Sequence, residues 1–171
     1  TRNKELLKYA QTDALTGLYN KETTEQLTDE LLSEDENKYH AFLILDVDCF
    51  KQINDIYGHA VGDIVLQKFG KLLKGTFREG DILGRIGGDE FGVIMKNIQT
   101  KDIAMKKAEE LLAKTQAYKI DELKGNNISI SIGISTAPQD GDCYMDLYKR
   151  ADQALYQAKR SGKARVCNYF S

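Results

Sequence analysis

The chain has 171 residues, 42% hydrophobic and 29% charged, with one Pro, 14 Gly and a formal net charge of −2. That length fits one domain, or one domain with a short appendage, and the composition excludes a disordered or low-complexity chain. A net charge near zero gives no basic footprint for polymeric nucleic acid, and the longest strongly apolar run, Ala41 to Leu45, is far short of the roughly 20 residues that span a bilayer.

Cys49, Cys143 and Cys167 form no C-x-x-C pair, which fits a reducing, cytoplasmic setting and argues against structural zinc. The chain starts at Thr1 rather than Met, so a fragment of a longer protein is expected. Residues Thr1 to Gln11 carry Leu6, Leu7 and Ala10 among charges, a helical stripe too short to stand alone. It reads equally as a frayed terminus and as the end of a longer linker helix entering from a sensor domain. Thr12 to Asn20 reads as an irregular turn with cap residues, and a helix follows from about Lys21 to Leu32. Ser33 to Tyr39 is polar and loop-like. His40 to Asp48 is a near-continuous apolar run closed by acids, which predicts a strand buried on both faces with carboxylates at its exit. A short helix over Lys51 to Tyr57 ends at Gly58. From His59 to about Lys74, apolar residues from Val61 to Leu73 recur at helical spacing.

Asp81 to Ile86 and Glu90 to Met95 read as short strands joined through Gly87-Gly88-Asp89, with Gly-Gly expected to supply the positive φ of a tight hairpin. Further elements are a helix over Asp102 to about Ala117, a strand over Ile128 to Ser135, a helix over Tyr144 to Arg160 and a closing strand over Val166 to Tyr169. Helices alternate with strands, but a hairpin interrupts the alternation. The order predicts an α/β (α+β) sandwich, a mixed central sheet flanked by helices, rather than a doubly wound parallel sheet. Neither an internal repeat nor a second domain is visible.

Asp46 and Asp48 lie two apart on a strand and share a face. If the strands are neighbours, Asp89 and Glu90 of the hairpin converge on Asp46. Hard oxygen ligands of this kind suit Mg²⁺ completed by phosphate oxygens, and two such ions about 3.5–4 Å apart can clamp the attacking and leaving oxygens of a phosphoryl transfer. Singly, each acid reads more readily as solvated; an apolar strand with Asp-x-Asp followed by Gly-Gly-Asp-Glu makes the joint coincidence rare.

Gly87-Gly88-Asp89-Glu90-Phe91 resembles the signature of the GGDEF domain of diguanylate cyclases. The resemblance extends to Asp13-x-Leu15-Thr16-Gly17-Leu18-x-Asn20, to the run from Asp46 through Gly62-Asp63, to Ser131 to Ser135, and to Ala151-Asp152 through Gly162-Lys163. It covers the chain from about Asp13 to Val166, with residues 1–11 left as the end of a linker helix and 12–171 as the cyclase domain. It implies a fold like the polymerase palm and the adenylyl cyclase core. It also implies a Mg²⁺-dependent reaction, with Mn²⁺ as a substitute. Two GTP, held in a homodimer of domains, condense to cyclic di-GMP with release of two pyrophosphates.

The resemblance further implies site roles. Asp46, the Val47 carbonyl and Asp89 are metal ligands, and Glu90 supports the metal or helps deprotonate the attacking hydroxyl. Asn54 and Asp63 read guanine. Lys51, Lys159 and Lys163 contact phosphates, the last two as residues four apart on one helix face, along with the backbone N–H groups of Cys49 and Phe50. Gly88 leaves room for substrate. Cys49 is expected to be a small packing residue, and Phe91 to pack inward. Arg78-x-x-Asp81 matches the family's inhibitory site for cyclic di-GMP. The resemblance places the domain in the cytoplasm, as the output of a sensor that can itself be membrane-bound, with no membrane contact of its own. Other readings are a silent module that senses cyclic di-GMP or GTP, a pure dimerisation module, and a cyclase making a mixed dinucleotide; the intact acids and Asp63 weigh against them.

Overall fold

A computed structural model of the chain describes residues 1–34 and 38–170. In chain order the elements are α1 (Arg2–Gln11), α2 (Lys21–Glu34), β1 (Tyr39–Val47), α3 (Phe50–Tyr57), α4 (His59–Thr76), β2 (Ile82–Arg85), β3 (Glu90–Ile98), α5 (Lys101–Ala117), a 3₁₀ turn (Asp121–Leu123), β4 (Ile130–Ala137), α6 (Tyr144–Arg160) and β5 (Val166–Asn168). Among the described residues, no helix is long and apolar enough to cross a membrane.

The apolar run of β1 explains the architecture. A strand without polar positions must be covered on both faces, so it takes the centre of the sheet. The strand order is β2-β3-β1-β4-β5. β1 pairs antiparallel with both neighbours, β2 pairs antiparallel with β3, and β4 and β5 run parallel. Successive β1 side chains alternate between two helical layers. Ala41, Leu43, Leu45 and Val47 pack with Val65, Phe69 and Leu73 of α4 and Ala104, Ala108 and Leu111 of α5. Phe42 and Ile44 pack with Leu31 and Leu32 of α2 and Leu147, Ala151 and Leu155 of α6. By the same alternation Asp46 belongs to the α6 face. Phe91 turns the other way and meets Phe69 edge to face, ring centroids 5.0 Å apart.

The mixed sheet flanked by helices is the expected fold, with differences of three kinds: at strand ends, in the loop after α2 and in the hairpin. β3 continues to Ile98, because Ile98 still pairs with Tyr39 of β1. β4 is displaced to Ile130–Ala137, in register with β1 from His40 to Val47. In both cases the partner strand, not local propensity, sets the end. The expected loop over Ser33 to Tyr39 begins later, since α2 runs through Glu34, and residues 35–37 lie outside the described residues. The third difference is the hairpin. The positive-φ glycines are Gly17, Gly58, Gly125 and Gly162, and neither Gly87 nor Gly88 is among them. The β2–β3 register closes at Arg85 opposite Phe91, and the N–H groups of Ile86 and Gly87 both donate to the Glu90 carbonyl, at 2.9 and 3.1 Å. A loop of this length does not need the primed turn of a two-residue hairpin.

Gly133 of β4 sets how closely α6 lies on the sheet. A Cβ there would collide with the Ala151 carbonyl and the Leu155 amide, both backbone. Gly133→Ala is expected to destabilise the domain by about 1–3 kcal/mol through overpacking, read by reversible chemical denaturation.

Candidate active site

The acids meet at the ends of two adjacent strands. Asp46 stands directly opposite Glu90 in the β1–β3 register. Asp89 comes just before β3, and its carbonyl accepts from the Val47 N–H at 3.4 Å. The convergence expected of the hairpin and Asp46 is therefore present.

Asp46 is only 5% exposed. One carboxylate oxygen pairs with the Lys159 ammonium, carried by α6. The other, Oδ1, is buried without a hydrogen-bond partner among the described residues. Burial pushes the Asp46 carboxyl above the usual range; Lys159 works against this, and the charges of Asp89 and Asp48 add to it. Glu90 is also raised, first by burial and then by the charges of Asp152, Asp46 and Asp89, while a hydrogen bond from Tyr148 opposes the shift. That bond runs from the phenol O–H to Glu90 Oε1 at 2.7 Å. Burial and Glu90 together push the Tyr148 phenol far up, so it remains a donor at neutral pH. A buried, unpartnered carboxylate oxygen among further carboxylates is an unfavourable arrangement that a hard divalent cation would relieve. Asp46, the Val47 carbonyl, Asp89 and Glu90 are the oxygen donors at this end of the sheet and would have to draw together around such an ion; among the described residues, the three side chains whose ligand atoms already lie within 4.8 Å of one another are Asp142, Cys143 and Asp146, at the start of α6.

Asp48 behaves differently. Its Oδ1 accepts from Ser131 Oγ at 2.6 Å, and its Oδ2 from Ser129 Oγ at 2.6 Å and the Ala164 N–H at 3.1 Å. It clamps the loop after α6 onto β1 and β4. Around that clamp the backbone is left-handed at Cys49 (φ 56°), Lys163 (φ 63°) and Ala164 (φ 50°). Such residues cost energy and concentrate where the surroundings over-determine them. Two expectations are corrected here. Lys163 is not on a helix face shared with Lys159, because α6 stops at Arg160 and Gly162 turns the chain at φ 119°. Cys49 is exposed rather than packed, and its Sγ lies 3.2 Å from the Lys163 ammonium.

Cys49 leads into α3, so the N–H groups of Phe50 and Lys51 fall in the first turn, ahead of any intrahelical acceptor. Lys51 is exposed. Asn54 on α3 sits over Gly62 of α4, where any side chain would strike its carboxamide oxygen; exposed Asp63 is the next residue. A Cβ on Gly88 would meet nothing within 4 Å, so space in front of the hairpin is open.

Two contacts were not legible in the sequence. Arg85 donates to the Gly88 carbonyl from Nε (3.1 Å) and Nη2 (2.8 Å), and from Nη1 to Asp13 Oδ1 (3.1 Å). The hairpin is thus tied to the turn that follows α1. The Tyr148 bond to Glu90 is the other. Helical spacing on α6 gives no sign of what the Tyr148 hydroxyl meets.

The Arg78 and Asp81 pair lies at the opposite end of β2 from the Gly-Gly loop. Asp81 is buried, accepting from the Lys96 N–H (3.1 Å) and Arg78 Nη2 (3.3 Å) at Oδ1, and from the Arg78 N–H (3.2 Å) at Oδ2. The Arg78 side chain stays 59% exposed. Beside it a cavity of about 490 Å³ is lined by Thr12, Gly17, Tyr19, Lys74, Arg78 and Leu83, among others.

A mixed sheet bearing carboxylates at one end, under flanking helices, is the palm-like fold of nucleotide cyclases. The chain belongs to the GGDEF domain family of diguanylate cyclases, whose family model matches residues 10–165. Diguanylate cyclase A of Treponema denticola is 37% identical over 96% of this chain and 46% of its own length. The response regulator PleD of Caulobacter vibrioides is 38% identical over 94% of this chain and 36% of its own length. The chain thus spans less than half of these curated relatives. Among solved structures, the coiled coil and GGDEF domain of DgcB from Caulobacter crescentus, in complex with c-di-GMP, superposes with a TM-score of 0.89 at 25% identity, covering 98% of this chain and 90% of that one. The isolated GGDEF domain of TpbB from Pseudomonas aeruginosa gives 0.88 at 33% identity, covering 93% and 94%.

The raised Glu90 carboxyl has a pH consequence. Because the folded state holds its proton more tightly than the unfolded chain, ionised Glu90 weakens the fold above its folded pKa, and the cost disappears below the ordinary carboxylate value. In chelator-treated protein without nucleotide, Glu90→Gln is expected to raise the melting temperature near neutral pH, with the gain shrinking to nothing below about pH 4.

Proposed function

We propose that this chain condenses two GTP into cyclic di-GMP. Each 3′-hydroxyl loses its proton and attacks the α-phosphorus of the other GTP, each α–β phosphoanhydride bond breaks, and two pyrophosphates leave. The observation that carries this reading is the buried, unpartnered Asp46 Oδ1 beside Asp89 and Glu90, in a chain whose relatives are named diguanylate cyclases. Mg²⁺, or Mn²⁺, held by Asp46, the Val47 carbonyl, Asp89 and Glu90, would acidify the attacking hydroxyl and neutralise the leaving pyrophosphate.

The remaining roles belong to the protein. Asn54 and Asp63 select guanine: Asp63 accepts from the N1–H and the 2-amino group, and adenine would leave it facing an acceptor. Phosphate oxygens lie against the N–H groups of Cys49 and Phe50 at the loop into α3, with Lys51 and Lys163 alongside. Lys159 neutralises Asp46 in the form described, and its side chain is 41% exposed. A flexible ammonium of this kind can leave the carboxylate for the triphosphate. Gly88 leaves the hairpin open to the nucleotide. Each domain closes half of the reaction, so catalysis needs a homodimer. We place α1 as the end of a linker helix from a sensor domain; its Leu6, Leu7 and Tyr9 are exposed. The substrate places the domain in the cytoplasm.

Cyclic di-GMP is also the proposed inhibitor, bound at Arg78. Asp81 is already engaged by two backbone N–H groups, so its part is to hold the arginine while the exposed guanidinium forks onto the ligand.

With GTP and Mg²⁺, the chain held as a dimer by an N-terminal leucine zipper is expected to form cyclic di-GMP and pyrophosphate. Asp89→Asn is expected to lower the rate at least about 100-fold, as loss of charge stabilisation at a transferring phosphoryl group does. A zipper dimer that turns over no GTP would remove the cyclase reading. Arg78→Ala is expected to keep the initial rate and lose product inhibition in progress curves; unchanged inhibition would remove the assignment of that site.

A further inference from the structure

Glu90 is crowded by like charge. Asp46, Asp89 and Asp152 all act on its carboxylate, and a flexible glutamate so placed should swing outward to water. Tyr148 opposes that swing, donating its O–H to Glu90 Oε1 at 2.7 Å. Its ring is itself held by packing, with centroids 5.8 Å from Tyr144 and 6.5 Å from Phe42. Two χ angles fixed by aromatic neighbours leave the hydroxyl little choice of direction. Tyr148, Asp152, Leu155 and Lys159 follow one another at helical spacing, so one stripe of α6 holds Glu90 at one end and Asp46 at the other.

We propose that Tyr148 is a positioning residue for Glu90: by occupying Oε1 it holds the carboxylate over the acids of β1 and the hairpin, with Oε2 left to serve a divalent cation. The inference rests on the cyclase reading and adds to it a residue outside the motifs that carry the family resemblance. Tyr144 supplies a matched control. It lies in the same aromatic cluster on the same helix, but its hydroxyl is buried with no hydrogen-bond partner among the described residues.

The test compares the full chain with Tyr148→Phe and Tyr144→Phe, each as the zipper dimer. Mn²⁺ binding is followed by electron paramagnetic resonance of the free ion, with a GTP analogue bearing a methylene between its α- and β-phosphates. Tyr148→Phe keeps the ring and removes only the donor. It is expected to weaken Mn²⁺ binding about tenfold, the scale of a hydrogen bond to a charged group, while the melting temperature holds. In turnover, the Mg²⁺ needed for half-maximal rate rises by a similar factor, and KM for GTP at saturating Mg²⁺ stays put. Tyr144→Phe leaves both metal readouts where they are. Mn²⁺ affinity in Tyr148→Phe equal to that of the unaltered chain, or a matching loss in Tyr144→Phe, would overturn the proposal. An unaltered chain that neither binds Mn²⁺ nor forms cyclic di-GMP would overturn the cyclase reading beneath it.

Discussion

Asp46 stands opposite Glu90 where β1 pairs with β3, and this register decides which side chains can share a cation. Side chains alternate along a strand, so a slip of one residue would turn Asp46 into the α4 and α5 core and bring Leu45 or Val47 to the α6 face. The hydrophobic runs prevent that slip. Ala41 to Leu45 fill the two layers on alternate sides, and the acid follows them near the end of the strand, itself only 5% exposed. The site is thus a by-product of a well-specified core, bought at the cost of placing carboxylates where burial and mutual repulsion disfavour their charge.

Other parts of the molecule act on that arrangement. Lys159 neutralises one oxygen of Asp46, and Tyr148 engages one oxygen of Glu90. Asp48, satisfied by two serines and an amide, fixes the left-handed loop that carries Lys163. Arg85 fastens the hairpin carbonyl to Asp13, directly after α1. One ion pair and two hydrogen bonds thus join the turn after α1 to the hairpin.

Much of this was legible in the residues. The doubly buried strand, the hairpin, the amphipathic helices and their order follow from periodicity, and the convergence of Asp46 with Asp89 and Glu90 follows once β1 and β3 are neighbours. What was hidden depended on tertiary partners. Strand ends moved because pairing, not propensity, stops a strand. Lys159 and Lys163 look like one helical face until Ser161 and Gly162 end the helix between them. Cys49 looked like a small packing residue because a left-handed backbone has no signature in a non-glycine residue, and the side chain is in fact exposed. The hydroxyl of Tyr148 and the guanidinium of Arg85 find their partners across 58 and 72 positions of sequence, beyond the reach of any local pattern.

In the proposed reaction, oxygens from the end of β1 and from the hairpin gather a divalent cation around a triphosphate. Anomalous diffraction from crystals grown with Mn²⁺ and the methylene GTP analogue tests it most directly. Manganese peaks bonded to Asp46 and Asp89 are expected, with the Lys159 ammonium moved from Asp46 onto phosphate oxygens. Nucleotide bound with manganese remote from both carboxylates, and Lys159 still on Asp46, would contradict it.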